Sequence, residues 1–550
     1  MIRLSEAVED LQVHVVPEAD PLLCGVTANS RRVVPGDLFA ALPGEHVHGA
    51  KFAGAAVAAG AVAILTDAAG LKQADEAGLA ETCVVMDDPA AELGLVAARI
   101  YGEPARSLRS FGVTGTNGKT TTAYIIDYLL RALKRKPALI GTVELRLAGR
   151  TVPATLTTPM PADLQRLLRE HADWGGDSLV MEVSSHALAQ GRTDPICFSV
   201  AGFTNLTQDH LDFHKTMENY YAAKRSLFTP ARCARGVVCI DDAWGEKLVG
   251  EAQVPVVALR VSEAARGGGD AAGAANSARD TAGSGNTAGE GKAAIFAGVP
   301  LWRVSEVRPG VRTSFTLRAP GGEEASFSTN LPGSFNIQNL ALALVMVAES
   351  GVELGELARA TNGKIDPVVP GRMEVLSDYP RVIVDFAHNT AALENAMGAL
   401  TSTTRGRLIV LTGSAGERDA DKRPAMGEAV AKAADLVYIT DDDPHDEDPD
   451  GIRRDLLRGT ARGTARVIEI ADRRQAIAQA IAQAAPDDTV LLAGRGHETK
   501  QPMRGGEVDL DDRVEARRAI AVRQEAEQGG TPRGKAEKVA EEKQGEITRD

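Results

Sequence analysis

The chain has few of the residues that staple, anchor or stack a protein. Its five cysteines, Cys24, Cys83, Cys197, Cys233 and Cys239, are scattered over 550 residues, and none forms a C-x-x-C pair. That spacing excludes a zinc ribbon and a disulfide framework and leaves buried thiols in a reducing compartment as the simplest reading. Aromatic residues make up only 4% of the chain, and no repeat period is visible. No apolar run is long enough to span a bilayer. The start, Met1-Ile2-Arg3-Leu4-Ser5-Glu6, lacks the basic segment and apolar core of a signal peptide. A cytoplasmic protein without membrane insertion is expected. A formal net charge of −14 argues against a broad nucleic-acid surface, so no nucleic-acid partner is expected, although local basic pockets are compatible with it.

What is present is alternating β and α patterning in a chain too long for one core, which predicts an α/β protein of several domains. In the first unit Leu38–Leu42 and Ala61–Thr66 read as strands and Ala53–Ala59 as a helix. Glu103-Pro104-Ala105-Arg106 reads as a linker. A second unit carries strand candidates at Ala138–Ile140, Ser178–Glu182, Phe198–Phe203 and Gly236–Ile240. A third carries them at Arg381–Asp385, Leu408–Thr412, Leu436–Thr440 and Thr489–Ala493. Two segments, 263–292 and 526–550, are too polar and glycine-rich to offset their ordering entropy and are expected to be a disordered insertion and tail.

The most informative stretch is Gly115-Thr116-Asn117-Gly118-Lys119-Thr120-Thr121. It lies between a strand at Leu108–Val113 and a helix at Ala123–Leu133. Glycines let backbone N–H groups crowd around phosphate oxygens, and the helix N-terminus adds positive potential. Lys119 supplies a point charge, and the Thr120 hydroxyl suits Mg²⁺. The longer phosphate-loop pattern wants glycine where Val113 stands, so the match is to the shorter G-x-x-G-K-T. ATP use is expected.

Other polar clusters sit where strands end, which is where open α/β sheets gather ligands. Glu182 leads into Val183-Ser184-Ser185-His186, and a carboxylate there suits Mg²⁺ or, alternatively, belongs to a capped turn. Asn205 to His214 packs two histidines and two aspartates into ten residues, which favours ligation over a structural role. Asp385–Asn389, Gly416–Asp419, Asp441–His445 and Gly494–Glu498 follow four successive strands. Any one of them alone is a solvated turn, whereas together they look like a substrate pocket.

These motifs, with Tyr221-Ala222-Ala223-Lys224-Arg225, Leu331–Asn336, Gly371–Glu374 and Gly496-His497-Glu498, resemble the Mur ligases, from about residue 25 to residue 520. The resemblance implies a uridine-nucleotide domain over 1–107, a central P-loop ATPase with a parallel sheet over 108–369, and a Rossmann-like amino-acid-binding domain over 370–525. It implies an ATP-dependent ligase, probed best as one adding the third, diamino acid residue to UDP-N-acetylmuramoyl-L-alanyl-D-glutamate through an acyl phosphate. ATP, Mg²⁺ and a role in peptidoglycan synthesis follow from the same resemblance, and a monomer is expected.

Carried over residue by residue, Lys119 and Thr120 handle phosphate and Mg²⁺, with Glu182 and His210 as further metal positions. Lys224 matches a lysine that the family carbamylates. An ordinary solvated lysine is the reading without the family. Asn336, Arg372, Asp385 and His388 resemble the ATP side of the cleft. Thr157, Thr158, Ser184 and Arg192 resemble contacts to the muramoyl-dipeptide, and Ser30 and the segment 44–49 resemble the uridine site. The acceptor pocket falls at Arg418, Asp442, Asp443, His445, Gly494 and Glu498, of which Arg418 and Glu498 match the family while Asp443 and His445 depart from it. Members using meso-diaminopimelate usually show Asp-Asn-Pro-Arg where this chain has Asp442-Asp443-Pro444-His445. An imidazole is a poor bidentate clamp and an extra carboxylate repels a carboxylate, so lysine or ornithine is expected ahead of meso-diaminopimelate. The competing readings are a folylpolyglutamate-synthetase-like ligase, a cyanophycin-synthetase-like ligase, and an ATP-binding regulator without catalysis.

Overall fold

A computed structural model describes residues 1–44, 46–261, 298–310, 312–417 and 419–527. The expected insertion at 263–292 and Arg418 lie outside the described residues. So does the expected tail from 528 on, while residues 526 and 527 close the last helix, Asp512–Glu527.

Three main sheets follow one another along the chain. The first has five strands in the order Val13–Val15, Cys83–Met86, Ala63–Thr66, Asp37–Ala40, Gly25–Thr27, all parallel except the first. The second has eleven strands. Its body, Pro137–Ile140, Ser178–Glu182, Arg109–Thr114, Val200–Phe203, Gly236–Cys239, Val256–Val261 and Leu301–Arg308, is parallel. An antiparallel hairpin closes each edge, Glu144–Leu147 with Arg150–Pro153 on one side and Thr313–Arg318 with Glu324–Thr329 on the other. The third has six strands in the order Glu374–Asp378, Arg381–Asp385, Thr489–Ala493, Leu408–Thr412, Leu436–Ile439, Arg466–Glu469, again parallel but for the first.

Strands buried on both faces read as continuous apolar runs, as in Leu408–Thr412 and Thr489–Ala493, where every residue is buried. The faces of the third sheet sort by alternation. Ile383, Val410 and Leu491 pack into one core, and Val382, Val384, Ile409 and Leu492 into the other. In the central unit the helix Ser334–Glu349 is apolar almost all round and buried from Asn336 to Val347 with few exceptions, packed against Lys119–Ala132. That second helix begins at Lys119, a turn earlier than its apolar pattern predicts, because Gly118 adopts φ +91° and hands the chain directly into it. Among the described residues no helix is long and apolar enough to cross a membrane.

The last helix is fastened by a wholly buried ion pair, Arg473 Nε to Asp512 Oδ1 at 2.8 Å and Nη2 to Oδ2 at 2.6 Å, and Nη2 also donates to the Ala493 carbonyl at 2.8 Å. Removing one partner strands the other charge in the core. Asp512→Ala is therefore expected to destabilise the third unit by about 3–5 kcal/mol, read as a lower urea midpoint; an unchanged midpoint contradicts this assignment.

Candidate active site

The phosphate loop leaves the strand Arg109–Thr114 and is clamped from the neighbouring strand end. Asn205 accepts from Asn117 N through its side chain at 3.0 Å and from Thr116 N through its carbonyl at 2.9 Å, while Thr204 Oγ1 donates to the Asn117 carbonyl at 2.7 Å. A Cβ on Gly118 would lie 2.3 Å from Asn339 Oδ1, so this position needs glycine for space as well as for its positive φ. Asn339 Nδ2 in turn donates to Asn336 Oδ1 at 3.1 Å, which ties the expected Asn336 to the loop.

Glu182 ends its strand with no solvent exposure. Its carboxylate accepts from Thr120 Oγ1 at 2.8 Å, Thr142 N at 2.7 Å and Thr142 Oγ1 at 3.0 Å. Its carbonyl accepts from Thr158 Oγ1 at 2.9 Å. Thr158 is also reached by Ser184 N at 3.3 Å and Arg192 Nη1 at 3.3 Å, and Thr157 meets Thr142 hydroxyl to hydroxyl at 3.2 Å. The structure thus brings Thr120, Thr157, Thr158, Glu182, Ser184 and Arg192 together. Ser184 caps the short helix that follows, with Ala187 N donating to its Oγ at 3.1 Å, so the capping reading holds for Ser184 beside the buried carboxylate.

Lys119 Nζ donates to the Gly115 and Thr116 carbonyls at 3.0 and 2.9 Å. Lys224 is 1% exposed, which rules out a solvated lysine. Its Nζ donates to the same Gly115 carbonyl at 2.7 Å and lies 4.5 Å from the centroid of the Tyr220 ring. Burial, reinforced by the charge of Lys119, drives the Lys224 amine well below its ordinary pKa. His210 sits at the start of a short helix with φ +53° and its ring 5.0 Å from that of His186.

The third unit contributes the opposite wall. Asp385 Oδ2 accepts from Met373 N at 2.7 Å, and burial raises its carboxyl despite Arg372 beside it. The His388 ring bonds the Phe386 carbonyl at 2.8 Å, and the Arg372 guanidinium lies 4.2 Å over the Phe386 ring. Arg372 feels the charges of Asp385, Glu182 and Glu498. Burial, with the charges of Arg372 and Arg513, pushes the His497 imidazole down to about 3. The central carboxylate and the third unit's strand ends therefore face one cleft.

Asp442, Asp443 and Glu498 offer carboxylate oxygens within 4.8 Å of one another. Burial and the charge of Asp442 raise the Glu498 carboxyl to about 7. Gly494 carries φ +116° beside Asp442. His445 is half-buried at the rim, with its backbone N donating to the Pro502 carbonyl at 3.1 Å. Asp443 is not the free carboxylate that the sequence suggests. It is ion-paired to Arg495, a fully buried guanidinium that also donates to the Lys500 and Leu510 carbonyls at 2.7 and 3.1 Å. Its charge is cancelled inside the wall, so the repulsion argument against an acceptor with a second carboxylate fails.

In the first unit Ser30 opens a short 3₁₀ turn capped by Asn29, and His48 Nδ1 accepts from Ala50 N at 3.0 Å while its Nε2 meets Asp67 Oδ1 at 3.1 Å. Glu45 of the 44–49 segment lies outside the described residues. Sequence reasoning missed Thr142, Asn205, Asn339 and Arg495 as site residues. Asn205 and Arg495 stood inside motifs already singled out; Thr142 and Asn339 carry no local signal.

Family models match in chain order: "Mur ligase family, catalytic domain" at residues 23–100, "Mur ligase middle domain" at 113–347 and "Mur ligase, glutamate ligase domain" at 371–496. A UDP-N-acetylmuramoyl-L-alanyl-D-glutamate--2,6-diaminopimelate ligase of Streptomyces coelicolor is 41% identical over 94% of this chain and 96% of its own. One of Streptomyces avermitilis with the same name is 41% identical over 92% and 94%. A solved structure of a protein of that name aligns with a TM-score of 0.61 at 28% identity, covering 95% of this chain and 99% of that one. These relatives are named for diaminopimelate, which overturns the preference for lysine or ornithine. The chain belongs to the Mur ligase family of ATP-dependent, amide-bond-forming ligases.

Proposed function

We propose that the protein joins meso-diaminopimelate to the D-glutamyl side-chain carboxylate of UDP-N-acetylmuramoyl-L-alanyl-D-glutamate, with ATP hydrolysed to ADP and phosphate, as a monomer in the cytoplasm. Residues 1–107 take the uridine end, 108–369 the ATP, and 370–525 the amino acid. The observation that carries this reading is the cleft in which the phosphate loop and Glu182 face Arg372, Asp442 and Glu498. The relatives' names support the acceptor, and the Arg495–Asp443 pair removes the electrostatic objection to it.

A carboxylate is a poor electrophile because its leaving group would be oxide. Attack of its oxygen on the γ-phosphorus releases ADP and leaves an acyl phosphate. The amine then attacks the acyl carbon, phosphate departs with the carbon–oxygen bond, and the amine proton is lost. Each partner in the first step is anionic, so positive charge and tight positioning dominate the barrier. Lys119 and the N-terminus of its helix supply that charge, Thr158, Ser184 and Arg192 hold the dipeptide, and Asn336, Arg372, Asp385 and His388 bound the nucleotide's side of the cleft.

The donor set fits Mg²⁺, which prefers hard oxygen ligands. The Thr120 hydroxyl beside the phosphate loop and the buried Glu182 carboxylate would hold it, with His210 nearby. Bound there, it would neutralise phosphate charge. Carbamylation of Lys224 needs a neutral amine, and its strongly depressed pKa provides one. The carbamate would place an anion where a neutral amine stood. Arg418 is assigned to the acceptor from its place in sequence alone, and His445 from its place on the rim.

Three outcomes test this reading. In an amino-acid panel with phosphate-release readout, meso-diaminopimelate is turned over far faster than lysine or ornithine, and Lys119→Ala lowers the rate by more than about 10²-fold; preference for lysine contradicts the acceptor. Lys224→Ala is expected to lose about 10²–10³-fold in kcat with partial rescue by added short carboxylic acids, and ¹³C-bicarbonate should label the wild-type lysine; no label and no rescue contradict carbamylation. Because Glu498 titrates near 7, its attraction for the acceptor's ammonium weakens as pH falls below that value. KM for the amino acid should rise on acidification in the wild type and lose this dependence in Glu498→Gln.

A further inference from the structure

At the edge of the central sheet, away from the cleft, lies a cavity of about 400 Å³. Five cationic side chains line it, Arg131, Arg135, Lys136, Arg146 and Arg150, together with Trp174, and no carboxylate does. This concentration stands out in a chain of net charge −14. The carboxylates that pair with these cations are not among the residues lining the cavity. Asp127 holds Arg131 at 2.9 Å, Glu144 holds Arg146 at 2.5 Å, Glu170 holds Arg150 at 2.5 Å, and Asp177 lies 3.8 Å from Arg135. Lys136 has no carboxylate partner among the described ion pairs, and its Nζ lies 5.3 Å from the Trp174 ring centroid. Trp174 is 47% exposed. Gly149, at φ +76°, brings the hairpin backbone against the indole, where a Cβ would lie 3.3 Å from the ring.

We infer that this pocket is an accessory site for a nucleotide, with guanidinium groups on the phosphates and the indole on the base. Fixed guanidinium forks suit phosphate oxygens, and the half-exposed indole, on which the His171 ring already stacks with centroids 5.9 Å apart, offers its remaining surface to a flat ring. The volume is that of a small-molecule site. The chain's negative charge opposes approach to an anionic bilayer, which favours a small ligand over a membrane surface. The site is distinct from the phosphate loop. Arg131 lies in the last turn of the 14-residue helix whose first residue is Lys119, so about 20 Å of helix separates the two.

The test uses the full chain carrying Lys119→Ala, titrated calorimetrically with GDP and with inorganic pyrophosphate. GDP binding is expected to persist in that background, to weaken with added salt, and to fall about tenfold or more with Arg135→Ala/Lys136→Ala. Trp174→Ala should weaken GDP and leave pyrophosphate unchanged. Absence of GDP binding with Lys119→Ala, or unchanged GDP affinity in either pocket variant, overturns the inference. Charge-dependent binding to phosphatidylglycerol vesicles without GDP binding overturns it too, in favour of a membrane surface.

Discussion

Glu182 ends a central strand with its carboxyl group out of water, and Thr120 and Thr142 donate three hydrogen bonds to it, which meets the requirement that a buried polar group be partnered. Through its side chain and its carbonyl it joins three elements that must act together: the first turn after the phosphate loop, the loop that carries Thr158, and the edge hairpin that begins after Thr142. Arg372 of the third unit faces the same carboxyl group across the cleft. The cleft is thus positioned by polar contacts around one buried carboxyl group, and the apolar cores of the sheets fix where those contacts can form.

Charge is arranged in opposite ways on the two walls. On the central side, Lys119 and Lys224 share one carbonyl, and the more buried of them is driven towards its neutral form. On the acceptor side, Asp443 is neutralised by Arg495 while Asp442 and Glu498 keep an acidic face. One wall suits transferred phosphate and the other an incoming ammonium. Two-step chemistry with a reactive acyl phosphate needs both walls present at once and water kept out between them.

Much of the scaffold was legible. The strands Arg381–Asp385, Leu408–Thr412 and Thr489–Ala493 lie where their apolar runs place them, since a strand buried on both faces has no competing pattern. The phosphate loop was legible because its geometry demands particular residues at fixed spacing. What was not legible depends on long-range pairing. Thr142 meets Glu182 across 40 positions, and Arg495 meets Asp443 across 52. The acceptor expectation failed for that reason: a carboxylate read in isolation carries its full charge, and only the fold supplies the guanidinium that cancels it. Lys224 shows the converse, since an unremarkable helical lysine becomes a buried amine once Tyr220 and Gly115 close over it.

The central claim is that the phosphate loop at Lys119 serves to turn a substrate carboxylate into a mixed anhydride. Its most direct measurement is oxygen tracing with UDP-N-acetylmuramoyl-L-alanyl-D-glutamate carrying ¹⁸O in the glutamyl side-chain carboxylate. Transfer of one labelled oxygen into inorganic phosphate for each amide formed is the predicted result. Amide formation with unlabelled phosphate would contradict it.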